Sequence, residues 1–485
     1  MHKLLQSVLD RVKKNDDLTA FDQDPLTRSI SLERHCCGEF SMANVQANSS
    51  MEDQSQVEVA SKNALYLGVY DGHGGVEASF HVLTELFNHL LRIADENGDN
   101  ALTDATLRNA VAATENAFLE YVKDHVIQVP TLGKIGTCCL AGVLWNGTLH
   151  IANLGDSRAV IGSMFNRRIL PVQLTRDHSC ENPEIRQELE ALHPGDETIV
   201  MHARGAWRVK GIIMVSRSIG DTYLKKPAFP LPDYEKVPDP YDRAVLSAVP
   251  EMLTRVIADT DKFLIFASDG LWEHLSNERA VEIVHRYPRH GIAKRLVTTA
   301  LVAAATSRRT TYREMQAVAP GLGDGRRTYH DDISVIVVFF DKKPLIKKSV
   351  PSLSYRGSTE VSQQSAFAQF PLTATVAQSL AGSLKNSFNK RFKGKGKLEA
   401  PETFKGKGKL EAPETFKGKG KLEAPETFKG KGKLEAPETF KGKGKLEAPE
   451  TSADRVDRDD NNQAESSKAK SRWNTLKKKF TPKKK

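Results

Sequence analysis

Six short runs of apolar, β-branched and aromatic residues constrain the fold of this chain more than any other feature. They are ALYLGVY (64–70), CCLAGVLW (138–145), LHIANL (149–154), RAVIG (158–162), KFLIFAS (262–268) and ISVIVVFF (333–340). Their residue types and the turn residues around them read as strands. Asn146-Gly147 joins two of the runs as a two-residue hairpin turn. Between the runs the apolar period changes to that of a helix. Val76, Phe80, Leu83, Phe87 and Leu90 recur on one helical face, and amphipathic helices are expected over 101–126, 276–287 and 291–306. Ser276 or Asn277 would cap the third of these four helices. The strands come in antiparallel-looking groups and do not alternate strictly with helices. The expected class is therefore α+β, with helices covering sheets, and not a doubly wound fold.

The pattern ends near residue 341. Beyond it, 342–391 reads as a low-complexity linker, and 392–451 holds five perfect copies of FKGKGKLEAPET. Each copy carries three lysines, two glutamates, two glycines and a proline, a composition that buries no core and reads as a disordered spacer. The last segment, 452–485, is first acidic and then polybasic. From Lys468 to Lys485 it holds nine Lys/Arg and no acid, which matches the net charge of +9 for all 485 residues. Residues 1–341 carry an excess of acids, so the basic balance describes the tail. Trp473, Leu476 and Phe480 share one helical face among those lysines. Anionic membrane, calmodulin and nucleic acid are the partners this pattern suits, and a merely solubilising tail is the plain alternative.

Composition excludes several classes. No apolar stretch approaches the ~20 residues of a membrane span. The N-terminus lacks a secretory apolar core and a Met-Gly start, so an intracellular protein is expected, in the cytoplasm, the nucleus or peripherally at the plasma membrane. Cys36, Cys37, Cys138, Cys139 and Cys180 have neither zinc-ligand nor disulfide-framework spacing and read as reduced thiols.

Acids recur at the ends of the apolar runs. Asp71, Asp156 and Asp269 follow strands, Asp331 and Asp332 precede one, and Asp221, Glu52 and Asp53 sit in turn-like text. Each alone is an ordinary turn residue. Gathered together they would repel one another and take up protons, unless hard divalent cations with oxygen ligands neutralised them. The sequence leaves both readings open.

The ordered motifs VYDGHGG, GDSRAV, SRSIGD, ASDGLWE and HDDISVIVV resemble those of the metal-dependent protein serine/threonine phosphatases of type 2C. The resemblance runs from about Phe40 to Phe340, and the flanking text is similar to the plant branch called clade D. It implies a β-sandwich of two mainly antiparallel sheets flanked by helix pairs, with a catalytic domain over 40–341 behind an N-terminal extension over 1–39. It implies two Mg²⁺ or Mn²⁺ ions held by Asp71, the Gly72 carbonyl, Asp269 and Asp331, with Asp332 in the position of a usual asparagine. Glu52 and Asp53 would support that shell, and Asp156 and Glu273 would serve a weaker third ion, with Asp221 a further acid nearby. A metal-activated water would attack phosphorus, and His73 would protonate the leaving oxygen of a phosphoprotein substrate. Asn48 stands where many relatives carry a phosphate-gripping arginine. An active phosphatase in signalling is the leading reading. A pseudophosphatase or scaffold anchored by its tail is the alternative.

Overall fold

The structure, a computed structural model, describes residues 24–98, 101–226, 229, 243–341, 350–357 and 362–370. The repeats over 392–451, the tail over 452–485 with its proposed partners, and most of the 1–39 extension lie outside the described residues.

Two antiparallel sheets carry the domain. The first has six strands in the order Thr27–His35, Gly38–Val45, Ile333–Phe340, Asp261–Ala267, Arg158–Phe165 and Arg168–Gln173. The second has seven, in the order Glu251–Val256, Thr148–Leu154, Cys139–Trp145, Ala64–Tyr70, Gln54–Val59, Leu353–Arg356 and Gln363–Gln364. All six expected strands are present. Asn146 and Gly147 both take positive φ, as the hairpin turn requires.

Side-chain alternation sorts these strands into layers, because successive residues point to opposite faces. Leu65, Leu67 and Val69 pack inward with Leu140, Leu264, Phe266, Ile336 and Val338, which come from both sheets. Their neighbours Ala64, Tyr66 and Tyr70 face outward, onto helices Glu77–Glu96 and Asp104–His125. On the other outer face Ile265, Ala267, Val335 and Val337 meet helices Asn277–Arg286 and Ile292–Ser307. Each run is thus apolar on both faces because each sheet is covered twice. Full burial of one such side chain contributes about 1.5–3 kcal/mol. Ser276 caps its helix by accepting the Arg279 N–H at 3.3 Å.

The domain is wider than the apolar runs suggested. Thr27–His35 lies ahead of the boundary expected at 40, and Leu353–Arg356 lies inside the span read as linker. Thr27–His35 is an edge strand of half-exposed polar residues, so no apolar run marked it. Leu353–Arg356 pairs with Gln54–Val59, a strand whose polar residues are buried. There one Glu58 oxygen accepts from Gln56 at 2.6 Å and from Ser354 at 2.7 Å, which ties the two strands through polar side chains, while Glu58 Oε2 and Ser55 Oγ are buried with no hydrogen-bond partner.

Candidate metal centre

The acids meet at one end of the sandwich. Asp71 follows the strand Ala64–Tyr70, Asp156 lies in the turn between Thr148–Leu154 and Arg158–Phe165, and Asp269 opens a short helix after Asp261–Ala267. Carboxylate oxygens of these three lie within 4.8 Å of one another. Burial, and then the charges of Asp269, Asp53, Asp331 and Asp156, push the Asp71 carboxyl well above the usual range. Asp269 is pushed well up by burial and by Asp156 and Asp331. Its Oδ1 is buried with no hydrogen-bond partner.

The two adjacent aspartates of HDDIS have different jobs. Asp332 accepts the backbone N–H groups of Ala47 at 2.6 Å, Asn48 at 3.0 Å and Glu52 at 2.7 Å. Both of its oxygens are consumed in tying the 47–52 loop to the sandwich. Asp331 stands outside the close triad but near enough to raise the carboxyls of Asp71 and Asp269. It accepts from Asn48 Nδ2 at 3.2 Å and pairs with Arg327.

Glu52 and Asp53 arrive on that tied loop. Burial, with Asp332 and Asp331 nearby, pushes the Glu52 carboxyl up to about 7. Asp53 is buried and accepts from Ser268 Oγ at 2.8 Å, while Ser268 itself accepts the Ser334 N–H at 2.9 Å. Ser268 therefore joins two strands to an acid, a role its sequence position did not announce. Glu273 is exposed, one turn beyond Asp269.

A small sheet builds the rest. Gly72–His73, Gly136–Thr137 and Ile219–Gly220 pair in that space, with Gly136–Thr137 in the middle. This pairing sets His73 Nε2 2.8 Å from Asp221 Oδ2. Ser218 Oγ donates to the same Asp221 oxygen at 2.6 Å. Burial opposes a charge on His73, but Asp221, Asp156 and Glu52 outweigh it and raise the imidazole pKa. Gly72 has to be small, since a Cβ there would lie 2.5 Å from the Glu52 carbonyl oxygen.

The donor set suits a hard divalent ion. It is all carboxylate, crowded and short of compensating charge, and Asp269 Oδ1 is buried there with no hydrogen-bond partner. Asp71, Asp156 and Asp269 form the close group, Asp331, Glu52, Asp53 and Glu273 surround it, and Asp221 is bonded to His73. The residues missed from sequence are Ser268, Ser218 and Arg327. Only Arg327 left a trace there, at i,i+4 spacing ahead of Asp331.

Comparison with known proteins gives the family. The family model described as Protein phosphatase 2C matches residues 34–312. The chain is 49% identical over 350 residues to "Probable protein phosphatase 2C 43" of Oryza sativa subsp. japonica, covering 71% of this chain and 89% of that protein. It is 48% identical over 357 residues to "Probable protein phosphatase 2C 68" of Arabidopsis thaliana, covering 72% and 89%. Among solved structures it is similar to the serine-threonine phosphatase 2C from Toxoplasma gondii, at 19% identity and a TM-score of 0.47, covering 65% of this chain and 99% of that one. With more than half its length matched by the family model and close to half its residues shared with plant relatives over most of their length, the chain belongs to the protein phosphatase 2C family and is a phosphatase.

Proposed function

We propose that the chain hydrolyses phosphoserine and phosphothreonine esters of proteins at a centre of two Mg²⁺ or Mn²⁺ ions. Asp71, the Gly72 carbonyl, Asp269 and Asp331 would hold them, with Asp156 and Glu273 available to a weaker third. The observation that carries this reading is the convergence of Asp71, Asp156 and Asp269, with one buried oxygen left unpartnered. Bound there, the ions would supply Lewis acidity that activates water and offsets charge on the phosphoryl oxygens.

The chain's own groups do the rest. Asp221 can only accept, so His73 carries a hydrogen on Nε2 and holds it there. The Nδ1–H is then the proton that His73 releases to the leaving serine or threonine oxygen. Asp221 stabilises the imidazolium beforehand and fixes the ring. Asp332 and Ser268 keep the 47–53 loop in place, so that Glu52 and Asp53 reach the centre.

The test is hydrolysis of a phosphothreonine peptide by the full chain with Mn²⁺, with Mg²⁺, and after chelation, for wild type and Asp71→Asn. Metal-dependent turnover that Asp71→Asn abolishes supports the reading. Folded wild-type protein that neither turns over nor binds metal by calorimetry overturns it. No helix among the described residues is long and apolar enough to cross a membrane.

A further inference from the structure

We propose that Arg327 is the cation that grips the substrate phosphate, released for that task when Asp331 takes a metal ion. The inference rests on the two-metal reading above. A site ringed by Asp71, Asp156, Asp269, Asp331, Glu52 and Glu273 repels a phosphate dianion unless cations intervene, and a guanidinium at the rim is the side chain best shaped to add to the metals. Position 48 does not provide one. Asn48 is neutral, and its amide already donates to Asp331 Oδ1 at 3.2 Å.

Arg327 reaches the same carboxylate from its other oxygen, Oδ2. Its charge also favours the ionised forms of Glu52 and Glu273. Its side chain is 37% exposed. The other arginines within the motifs are committed elsewhere: Arg217 donates to the Val249 carbonyl at 3.1 Å and to Glu188 at 2.9 Å. Arg158 is bound to Asp177 and Asn277 and stacks over Trp272. For Arg327, by contrast, the side-chain partner found is Asp331, a proposed metal ligand.

The backbone beneath Arg327 is fixed, while its half-buried side chain is held through Asp331. The neighbouring Arg326 is wholly buried, bound to Asp24 and, at 2.9 Å, to His330 Nε2. Arg327 N–H donates to the Gly321 carbonyl at 3.1 Å, and Gly321 N–H donates to the Ala47 carbonyl at 2.8 Å. The Arg326–Thr328 turn is thus pinned beside the 47–49 loop. A metal at Asp331 would compete for the carboxylate that now holds the guanidinium. Rotation of that side chain would then present its N–H fork to a phosphoryl group at the same rim.

The experiment compares full-length wild type, Arg327→Ala, Arg327→Lys and the Asn48→Arg/Arg327→Ala pair, all loaded with Mn²⁺. Inorganic phosphate affinity and Mn²⁺ affinity are measured by calorimetry, and KM and kcat with a phosphothreonine peptide. Arg327→Ala is expected to weaken phosphate binding roughly 10- to 100-fold, on the scale of a lost charge-assisted pair. KM should rise by more than kcat falls, Mn²⁺ should bind as tightly or more tightly, and Arg327→Lys should fall between. Asn48→Arg should restore phosphate affinity to the alanine variant. Phosphate affinity within twofold of wild type in both single variants overturns the proposal. So does loss of Mn²⁺ binding in a folded Arg327→Ala, which would make Arg327 a support for Asp331. If wild type itself lacks metal-dependent turnover, the enzyme reading fails separately, and phosphate binding to the Mn²⁺-loaded chain still judges Arg327.

Discussion

His73 Nε2 and Asp221 Oδ2 lie 2.8 Å apart across 148 residues of sequence, and the contact is the deepest charge partnership His73 has. The raised imidazole pKa depends on it. Replacing Asp221 by Asn keeps the shape and removes the charge. The upper limb of the kcat/KM–pH profile should then shift down, and kcat at pH 8 should fall roughly tenfold. Histidine chemical shifts followed through a pH titration give the same pKa without turnover. An unchanged imidazole pKa in Asp221→Asn would remove Asp221 from the mechanism.

Gly136 lies against this pair. A Cβ there would sit 2.2 Å from Asp221 Oδ2 and 2.5 Å from His73 Nε2, distances no real side chain tolerates. Gly136→Ala is expected to push the two apart and cut kcat roughly tenfold or more, with a smaller change in metal affinity. The check is kinetics set beside Mn²⁺ calorimetry on the same preparation.

Asp331 and Asp332 should separate cleanly by mutation. Asp332 is 2% exposed and accepts three backbone N–H groups. Asp332→Ala leaves them unpartnered and should cost about 3 kcal/mol or more of stability. Asp331→Asn should hardly alter the melting temperature but lose metal-dependent turnover. Urea denaturation and phosphopeptide hydrolysis measure the two effects. A reversal of the pattern would make Asp332 the ligand.

The crowded carboxyls set a sign for stability against pH. Asp71 and Asp269 are raised above their ordinary values in the folded chain. Such groups stabilise the fold below the unfolded pKa near 3.8, and that contribution is lost as pH rises through the folded pKa. At pH 7.5 and without metal the cluster is therefore a strain on the fold. Asp71→Asn should raise the melting temperature of the chelated protein there. Mn²⁺ at about 100 times its Kd should add about 2.7 kcal/mol to the wild type and far less to the variant. Thermal unfolding with chelator and with Mn²⁺ at pH 5.5 and 7.5 tests this, and the metal-induced gain should shrink at the lower pH.

Residues beyond 341 belong to the core. Tyr355 is buried and meets Phe40 edge-on at 5.2 Å between ring centroids, and Phe367 meets Phe87 at 4.8 Å. Tyr355→Ala should destabilise the domain by about 3 kcal/mol. A chain stopped after residue 341 should melt well below one stopped after 371. Equal stability of the two would restore the shorter boundary.

The local pattern determined much of this protein. Alternating faces, turn pairs and helical spacing depend on neighbours a few residues apart, so the strands Ala64–Tyr70 and Ile333–Phe340 were legible to the residue. The acids Asp71, Asp156 and Asp269 stood out because each closes or follows an apolar strand. The sequence motifs also carried the family. Tertiary structure decided what pairwise chemistry across hundreds of residues controls. It tied Asp332 to the 47–52 loop and left Asp331 facing Arg327. It made His73 a partner of Asp221 through a three-stranded sheet of two-residue strands, too short to leave any periodicity. It also drew the polar strand Gln54–Val59 and its partner Leu353–Arg356 into the sandwich. Such strands are tied by hydrogen bonds among buried polar side chains such as Gln56, Glu58 and Ser354, and hydrophobic patterning does not register them.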